Sequence, residues 1–232
     1  NRPDRPLASG RVSIDDARSF AIGLLTLSVL GLLSAAGWVT YNGIDLATWL
    51  PSLPIWFAAL LLMVHYEFEG GNSLRLKHKG LPGNIAVSLL VGIVIVFGAA
   101  SVGGLSNPLV WMVGLTAFCI NSAREIIKDV EDMEGDIGRD TLSMQVGPNR
   151  ARTIAWVMTL LGFASLFLPF AINVLPSGML LLLTPSILAI LAAKPRIHQG
   201  DDHGAQRMLR LAILLGMVGF ALAAFLENSS LQ

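Results

Sequence analysis

Five long stretches of this chain contain no aspartate, glutamate, lysine or arginine, and this feature limits the possible folds more than any other. A helix needs about 20 mostly apolar residues to cross a bilayer. Four of the stretches approach or exceed that length, and the last reaches it if Arg207 and Arg210 extend their charged ends to the membrane surface. The stretches cover residues 19–44, 46–66, 80–123, 153–193 and 211–226. The chain is therefore predicted to be a membrane protein with helical spans.

Two of these stretches, 80–123 and 153–193, are each long enough for two helices. Each also contains glycine, asparagine and proline near its middle, at residues 103–108 and 173–178, which is typical of a turn. We therefore predict an all-α fold, a multi-pass transmembrane helical bundle of seven helices that forms a single domain over residues 1–232. The predicted helices cover residues 17–41, 49–66, 83–102, 108–128, 151–172, 177–194 and 207–226.

The composition agrees with a membrane protein and excludes several other classes. Hydrophobic residues make up 53% of the chain and charged residues only 14%, which excludes a disordered chain. Sixteen basic residues balance sixteen acidic ones, so no overall positive charge would attract nucleic acid. The single cysteine, Cys119, excludes an internal disulfide and has no neighbours spaced as zinc ligands.

The basic residues all fall on one side of the predicted topology. They precede the first helix or flank the loops after the second, fourth and sixth helices, whereas the opposite loops, near 42–48, 103–107 and 173–176, contain none. Lysine and arginine are retained on the cytoplasmic side during membrane insertion. We therefore predict a cell-membrane protein with its N-terminus inside, its C-terminus outside and its charged loops in the cytoplasm.

The acidic residues of segment 124–136, directly after the fourth helix, are regularly spaced. If the helix continues, Glu125, Asp129, Asp132 and Asp136 are separated by four, three and four residues and share one face. Stacked carboxylates repel each other unless a cation lies among them. Divalent cations such as Mg²⁺ prefer oxygen ligands, so the spacing predicts a Mg²⁺ site.

Two basic residues of the same segment, Arg124 and Lys128, are also four residues apart. They would place fixed positive charge beside the acidic face, where Mg²⁺ commonly binds together with substrate phosphates. Segment 124–136 therefore predicts a diphosphate site at the membrane surface. The alternative is an acidic connector that only contacts solvent. A second acidic group, in residues 198–203, is interpreted as a flexible turn because two glycines flank it.

Three segments together resemble the UbiA-type intramembrane prenyltransferases, and within them the archaeal enzymes that make digeranylgeranylglyceryl phosphate. The first is residues 1–13, NRPDRPLASGRVS; the second contains Lys77 and the Gly83-Asn84 pair; the third is residues 124–136, REIIKDVEDMEGD. The resemblance implies Mg²⁺-dependent transfer of a geranylgeranyl group from geranylgeranyl diphosphate to geranylgeranylglyceryl phosphate, in archaeal ether-lipid biosynthesis.

The resemblance also implies roles for individual residues. Asp129, Asp132 and Asp136 would hold Mg²⁺ and act in catalysis together with Lys128. The residues implied in binding the diphosphate substrate are Asn1, Arg5, Arg11, Lys77 and Arg124. The implied partners are a prenyl diphosphate, a lipid or aromatic acceptor and the bilayer; neither nucleic acid nor a protein partner is inferred.

This sequence departs from the family pattern in three ways. The family has nine helices and an earlier aspartate-rich motif, so we expect the chain to lack the first two helices and that motif. Residues 72–76 contain none of the tyrosines that the family often has before the basic residue of this loop. Ser143 stands at a position where the family frequently has a proline.

Two other functions remain open from the sequence. One is an aromatic prenyltransferase of the same family, which makes a quinone, chlorophyll or haem precursor. The other is a non-enzymatic helical transporter, which would require ionisable residues inside the spans, and these are nearly absent.

Overall fold

The computed structural model describes residues 6–7, 9–68, 70–135 and 138–230, and within them every regular element is helical. Among these described residues, seven helical segments are long and apolar enough to cross a membrane, as predicted. The α-helices are α1 (Ile14–Tyr41), α2 (Leu46–Trp49), α3 (Ser52–Glu67), α4 (Gly80–Ala100), α5 (Pro108–Glu131), α6 (Leu142–Val146), α7 (Pro148–Ala171), α8 (Thr184–Gln199) and α9 (Asp202–Ser230). Short 3₁₀ helices cover Leu76–His78, Gly104–Ser106 and Ser177–Leu183.

The helix boundaries follow local sequence signals. Ser13 caps α1 by accepting a hydrogen bond from the Asp16 backbone N–H at 3.0 Å. Both predicted breaks are turns that contain left-handed residues, Gly103 with a φ of 74° and Asn173 with a φ of 56°. At the end of the first break, Asn107 caps α5, and Pro108 occupies the first turn of that helix.

Helix α5 lies at the centre of the bundle, in contact with α4, α7 and α9. In the most apolar part of each span, 67% of α5 residues are buried, compared with 6% for α1. Small and branched side chains of α5 pack against these helices, among them Ala123, Ile126 and Ile127, which are fully buried. The core therefore fixes α5 firmly, and the acidic segment extends from its C-terminal end.

Helices α4 and α5 approach each other closely at a pair of glycines. A Cβ atom added at Gly92 would lie 2.9 Å from the Gly114 carbonyl oxygen, whereas one added at Gly98 would meet nothing within 4 Å. Small residues allow membrane helices to pack backbone against backbone. Gly92 is therefore a contact that positions α4 against α5.

Replacing Gly92 with alanine is expected to destabilise the protein by about 1–3 kcal/mol, because the added methyl group forces the two helices apart. The matched change Gly98→Ala, in the same helix, should be neutral or stabilising, since alanine favours the helix by roughly 0.5–1 kcal/mol over glycine. Thermal unfolding in detergent measures both. Equal melting temperatures for the two variants would contradict this packing.

Candidate functional site: an acidic corner at the end of helix α5

The acidic segment does not continue as one helix. Helix α5 ends at Glu131, and Asp132 is its C-cap residue, with φ −89° and ψ −2°. A turn follows, in which the Gly135 N–H donates to the Asp132 carbonyl oxygen at 2.9 Å. The predicted ladder of four carboxylates on a continuing helix is therefore wrong. Asp136 lies outside the described residues.

Glu125 is buried and forms ion pairs with the two predicted cations of the segment. Arg124 is in contact with the Glu125 carboxylate, and the Lys128 Nζ lies 3.3 Å from it. Arg124 also donates through Nε to the Asn121 Oδ1 at 3.2 Å. A buried carboxylate needs such partners, so Glu125 holds Arg124 and Lys128 close to the end of α5.

Asp129 is held by residues of two neighbouring helices. The Asn84 Nδ2 of α4 donates to its carboxylate at 2.8 Å. The Ser143 Oγ of α6 donates to its backbone carbonyl at 2.8 Å, and this carbonyl is among the last of α5, which lack helical partners. In the sequence, Asn84 matches the family pattern and Ser143 departs from it, but neither feature predicts these contacts with Asp129.

The two charged loops beside α5 are bound to each other through their backbones. The Gly80 N–H donates to the Asp140 carbonyl at 2.7 Å, and the Asp140 N–H donates to the His78 carbonyl at 3.3 Å. Gln145 also donates to the Asp140 carboxylate at 2.9 Å. The loop that carries Lys77 therefore lies against the loop that follows the acidic segment.

The end of α3 completes this corner. The Lys77 Nζ pairs with the Glu67 carboxylate at 2.9 Å, although Glu67 is largely exposed. Tyr66, beside Glu67, lies close enough to Glu125 and Asp129 to interact with their charges. We refer to this region as the acidic corner, defined by Tyr66, Lys77, Asn84, Glu125, Lys128, Asp129 and Asp132.

Of the three predicted substrate-binding residues before α1, the described part of the chain includes Arg11. Asn1 and Arg5 lie outside the described residues. Arg11 is exposed and donates through Nε to the Ser9 Oγ at 3.0 Å. Their role in binding a diphosphate stays a prediction.

Residues 198–203 contain the end of α8, a turn at Gly200 and Asp201, and the start of α9. The predicted turn is therefore present, and hydrogen bonds hold both of its ends. Gly200 ends α8 with a φ of 76°, and Asp201 caps α9 by accepting from the Gly204 N–H at 2.9 Å. His203 lies 3.2 Å from the Glu131 carboxylate. The contact between His203 and Glu131 therefore joins the start of α9 to the end of α5.

Asp202 anchors the same turn through a bidentate ion pair with Arg152, at 2.8 and 2.6 Å. Asp202→Asn is expected to destabilise the protein by about 1.5–3 kcal/mol, because it weakens two charge-assisted hydrogen bonds. Asp201→Asn is the matched control, since asparagine retains the helix cap and the Arg196 contact at 3.8 Å is exposed. Thermal unfolding measures both, and an unchanged Asp202→Asn protein would contradict a structural role for the pair.

Two apolar cavities lie within the spans beneath the acidic corner. One, of about 570 Å³, lies between α3, α4 and α5 and is lined by Ile93, Trp111 and Phe118 among others. The other, of about 540 Å³, lies between α1, α3 and α4 and includes Trp56 and Phe97. Leu89 also lines the first cavity, and it is five residues after Asn84 on α4, which corresponds to roughly 7.5 Å along the helix.

The corner contains donors suited to a hard divalent cation. Asp129 and Asp132 supply carboxylate oxygens, and Mg²⁺ typically uses one or two protein carboxylates and completes its shell with water and substrate phosphates. No group of three or more histidine, cysteine, aspartate or glutamate side chains within the described ranges is arranged to hold a metal by itself. The donor set therefore fits a cation shared with a phosphate-bearing substrate.

Comparisons with known proteins identify the family of the chain. Residues 1–215 match the sequence profile of the UbiA prenyltransferase family. The chain is 37% identical over 224 residues to the digeranylgeranylglyceryl phosphate synthase of Methanopyrus kandleri, covering 95% of this chain and 75% of that protein. It is 32% identical over 229 residues to the synthase of the same name from Methanothermobacter thermautotrophicus, covering 95% and 73%.

A solved structure shares the fold. It is described as "Structural and mechanistic insights into the biosynthesis of Digeranylgeranylglyceryl phosphate synthase in membranes". The TM-score is 0.67 with 24% sequence identity, and the match covers 97% of this chain and 75% of that chain. The similarity supports a multi-pass helical bundle of the same architecture.

Proposed function

This chain belongs to the UbiA prenyltransferase family, and on that premise we propose that it transfers a geranylgeranyl group from geranylgeranyl diphosphate to geranylgeranylglyceryl phosphate. The observation that carries the proposal is the acidic corner, in which Asp129 and Asp132 end a buried helix that also lines an apolar cavity. The names of the relatives at 37% and 32% identity support the choice of substrates. We assign residues 1–232 to one catalytic domain.

Asp129 and Asp132 are the described residues that would hold Mg²⁺, and the spacing of the segment adds Asp136. When bound, Mg²⁺ supplies positive charge that stabilises the diphosphate as it leaves. Each of the two aspartates lies at the C-terminal end of α5, where the helix dipole disfavours negative charge. Bound cations offset that cost, which supports a metal at this position.

Lys77, Lys128 and Arg124 would neutralise the oxygens of the diphosphate. Each is in contact with a glutamate, Lys77 with Glu67 and the other two with Glu125. These ion pairs hold the cations in place before substrate binds, so little reorganisation is needed when charge develops on the leaving group. The C–O bond of the allylic substrate then breaks, and the bonding electron pair leaves with the diphosphate.

The apolar cavities would hold the hydrocarbon chain and keep water from the resulting allylic cation. Their walls are aliphatic and aromatic, for example Ile93, Trp111 and Phe118, and exclusion of water prevents hydrolysis of a reactive intermediate. The acceptor hydroxyl oxygen forms the new C–O bond and gives its proton to the released diphosphate or to water. Because the cation is strongly electrophilic, a strong protein base is not required.

We assign the acidic corner to the cytoplasmic side of the membrane. The support is the distribution of charge, since all sixteen basic residues lie in the loops on this side or in the segments that flank them.

The direct test is product formation by the purified full-length protein in detergent or nanodiscs. Geranylgeranyl diphosphate, geranylgeranylglyceryl phosphate and Mg²⁺ should yield digeranylgeranylglyceryl phosphate and inorganic diphosphate, detected by mass spectrometry. EDTA should abolish the product, and added Mg²⁺ should restore it. Absence of the ether product under these conditions would contradict the proposal.

A further inference from the structure

Asn84 has one buried polar atom without a partner, at the edge of the acidic corner. The residue is 5% exposed. Its Oδ1 finds no hydrogen-bond donor among the described residues, although its Nδ2 donates to the Asp129 carboxylate at 2.8 Å. A buried acceptor without a partner costs stability, and native proteins retain few of them. The position therefore requires an explanation.

The orientation of the Asn84 amide follows from its neighbour. If the amide were reversed, its oxygen would face the carboxylate oxygen of Asp129, and two acceptors would repel each other. The nitrogen must therefore donate to Asp129, and the oxygen is left to accept from another partner. A missing partner of Oδ1 must be a hydrogen-bond donor or a cation, because a carbonyl oxygen only accepts. Phosphate oxygens do not meet this requirement.

The backbone around Asn84 is held tightly, so the side chain cannot easily withdraw. A Cβ atom at Gly83 would lie 2.4 Å from the Leu76 carbonyl oxygen, which brings the first turn of α4 against the Leu76–His78 turn. The Ser88 Oγ donates to the Asn84 carbonyl at 2.7 Å. The amide is therefore fixed next to Asp129, in a preorganised position.

We propose that the Asn84 Oδ1 is a protein ligand to the divalent cation of the acidic corner, beside Asp129. This inference rests on the proposed function, because it adds a neutral oxygen donor to the same metal site. Asparagine carbonyls are accepted ligands of hard cations. In this arrangement one amide both orients the Asp129 carboxylate through Nδ2 and binds the metal through Oδ1.

Binding of Mn²⁺, a spectroscopic substitute for Mg²⁺, tests the role without relying on activity. The free Mn²⁺ concentration is followed by electron paramagnetic resonance during titration of the purified full-length protein. Asn84→Ala should weaken Mn²⁺ binding by about tenfold to a hundredfold, the loss typical of removing a residue that supports a metal site. Asn84→Asp should bind within about threefold of the wild type, because an anionic oxygen replaces the amide oxygen as ligand.

The Asn84→Asp variant distinguishes a metal ligand from a residue that only positions Asp129. Aspartate lacks the donor and repels Asp129, so a purely positioning role predicts equal losses for the alanine and aspartate variants. Equal losses would overturn the proposal, and so would unchanged binding by Asn84→Ala. Asn121→Ala is the matched control, since Asn121 is also buried in this polar network but has both amide atoms bonded; it should retain Mn²⁺ affinity within about threefold.

Two further measurements keep the result interpretable. If Asn84→Asp does not fold, pulsed resonance of Mn²⁺ on protein containing isotopically labelled asparagine should show coupling to the label. That coupling should disappear in Asn84→Ala, and its absence from the wild type would overturn the proposal. Asp129→Ala must also lose Mn²⁺ affinity. If Asp129→Ala keeps its Mn²⁺ affinity, the metal site of the proposed function is wrong. If Asp129→Ala loses Mn²⁺ affinity but Asn84→Ala keeps it, only the role of Asn84 is refuted.

Discussion

Asp132→Ala is expected to lower Mg²⁺-dependent geranylgeranyl transfer by roughly a hundredfold to a thousandfold, the range found when one preorganised electrostatic group is removed. The protein should stay folded, because Asp132 is the C-cap of α5 and lies outside the apolar core. Aspartate at this end of a helix opposes the helix dipole. The alanine variant should therefore remain folded, with a cooperative melting transition, while activity falls.

Glu134→Ala is the matched control for this prediction. Glu134 belongs to the same acidic segment and is exposed in the turn after α5, so its removal changes the net charge by the same amount. Initial rates at saturating diphosphate, measured over a range of Mg²⁺ concentrations, should change less than about twofold, as is usual for an exposed side chain. Normal turnover by Asp132→Ala would remove Asp132 from the metal site.

The sequence was sufficient to predict the seven spans, because long apolar stretches and turn-forming residues report directly on membrane helices. If the 3₁₀ helix Ser177–Leu183 is counted with α8 as one span, six of the seven predicted helices start within four residues of the prediction. The last begins at Asp202 instead of 207. That difference arises because Asp202 and His203 belong to the first turn of α9 and form contacts that no periodic pattern reports. Their partners, Arg152 and Glu131, are distant in the sequence.

The acidic segment shows where spacing alone misleads. The positions of Glu125 and Asp129 on α5 are as predicted, but the helix stops at Glu131 because the chain turns at Asp132. The spacing predicts that the helix continues, but the residues that follow, Met133 to Gly135, form a turn. Glu125 also faces Arg124 and Lys128, so it neutralises these cations, whereas spacing alone grouped it with the other carboxylates.

The contacts around Asp129 could not be predicted, since they join three segments of the chain. Asn84 is 45 residues from Asp129, and Ser143 is 14 residues away across a turn. Such long-range hydrogen bonds depend on the packing of α4 and α6 against α5. A match to a family segment identified Asn84 as a residue of interest, but only the structure assigns it a partner.

The second prediction with a large expected effect concerns which acceptor the protein prenylates. Geranylgeranylglyceryl phosphate carries an anionic head group and a long apolar chain, so its site needs basic residues at the membrane surface and an apolar cavity below. Arg124 and Lys128 are assigned to the diphosphate in the proposed function, and Arg75 and Lys79 flank the Leu76–His78 turn beside the acidic corner. We expect Arg75 and Lys79 to attract the acceptor phosphate. An aromatic acceptor would require a polar group within an apolar slot instead.

Competition between the two acceptors tests the central claim most directly. Geranylgeranylglyceryl phosphate and 4-hydroxybenzoate are supplied at equal concentration, with geranylgeranyl diphosphate and Mg²⁺, to the purified full-length protein, and both prenylated products are quantified. The glycerol phosphate lipid should be prenylated at least about tenfold faster, which corresponds to about 1.4 kcal/mol of discrimination. Dominant prenylation of 4-hydroxybenzoate would contradict the proposed lipid substrate and leave only membership of the prenyltransferase family.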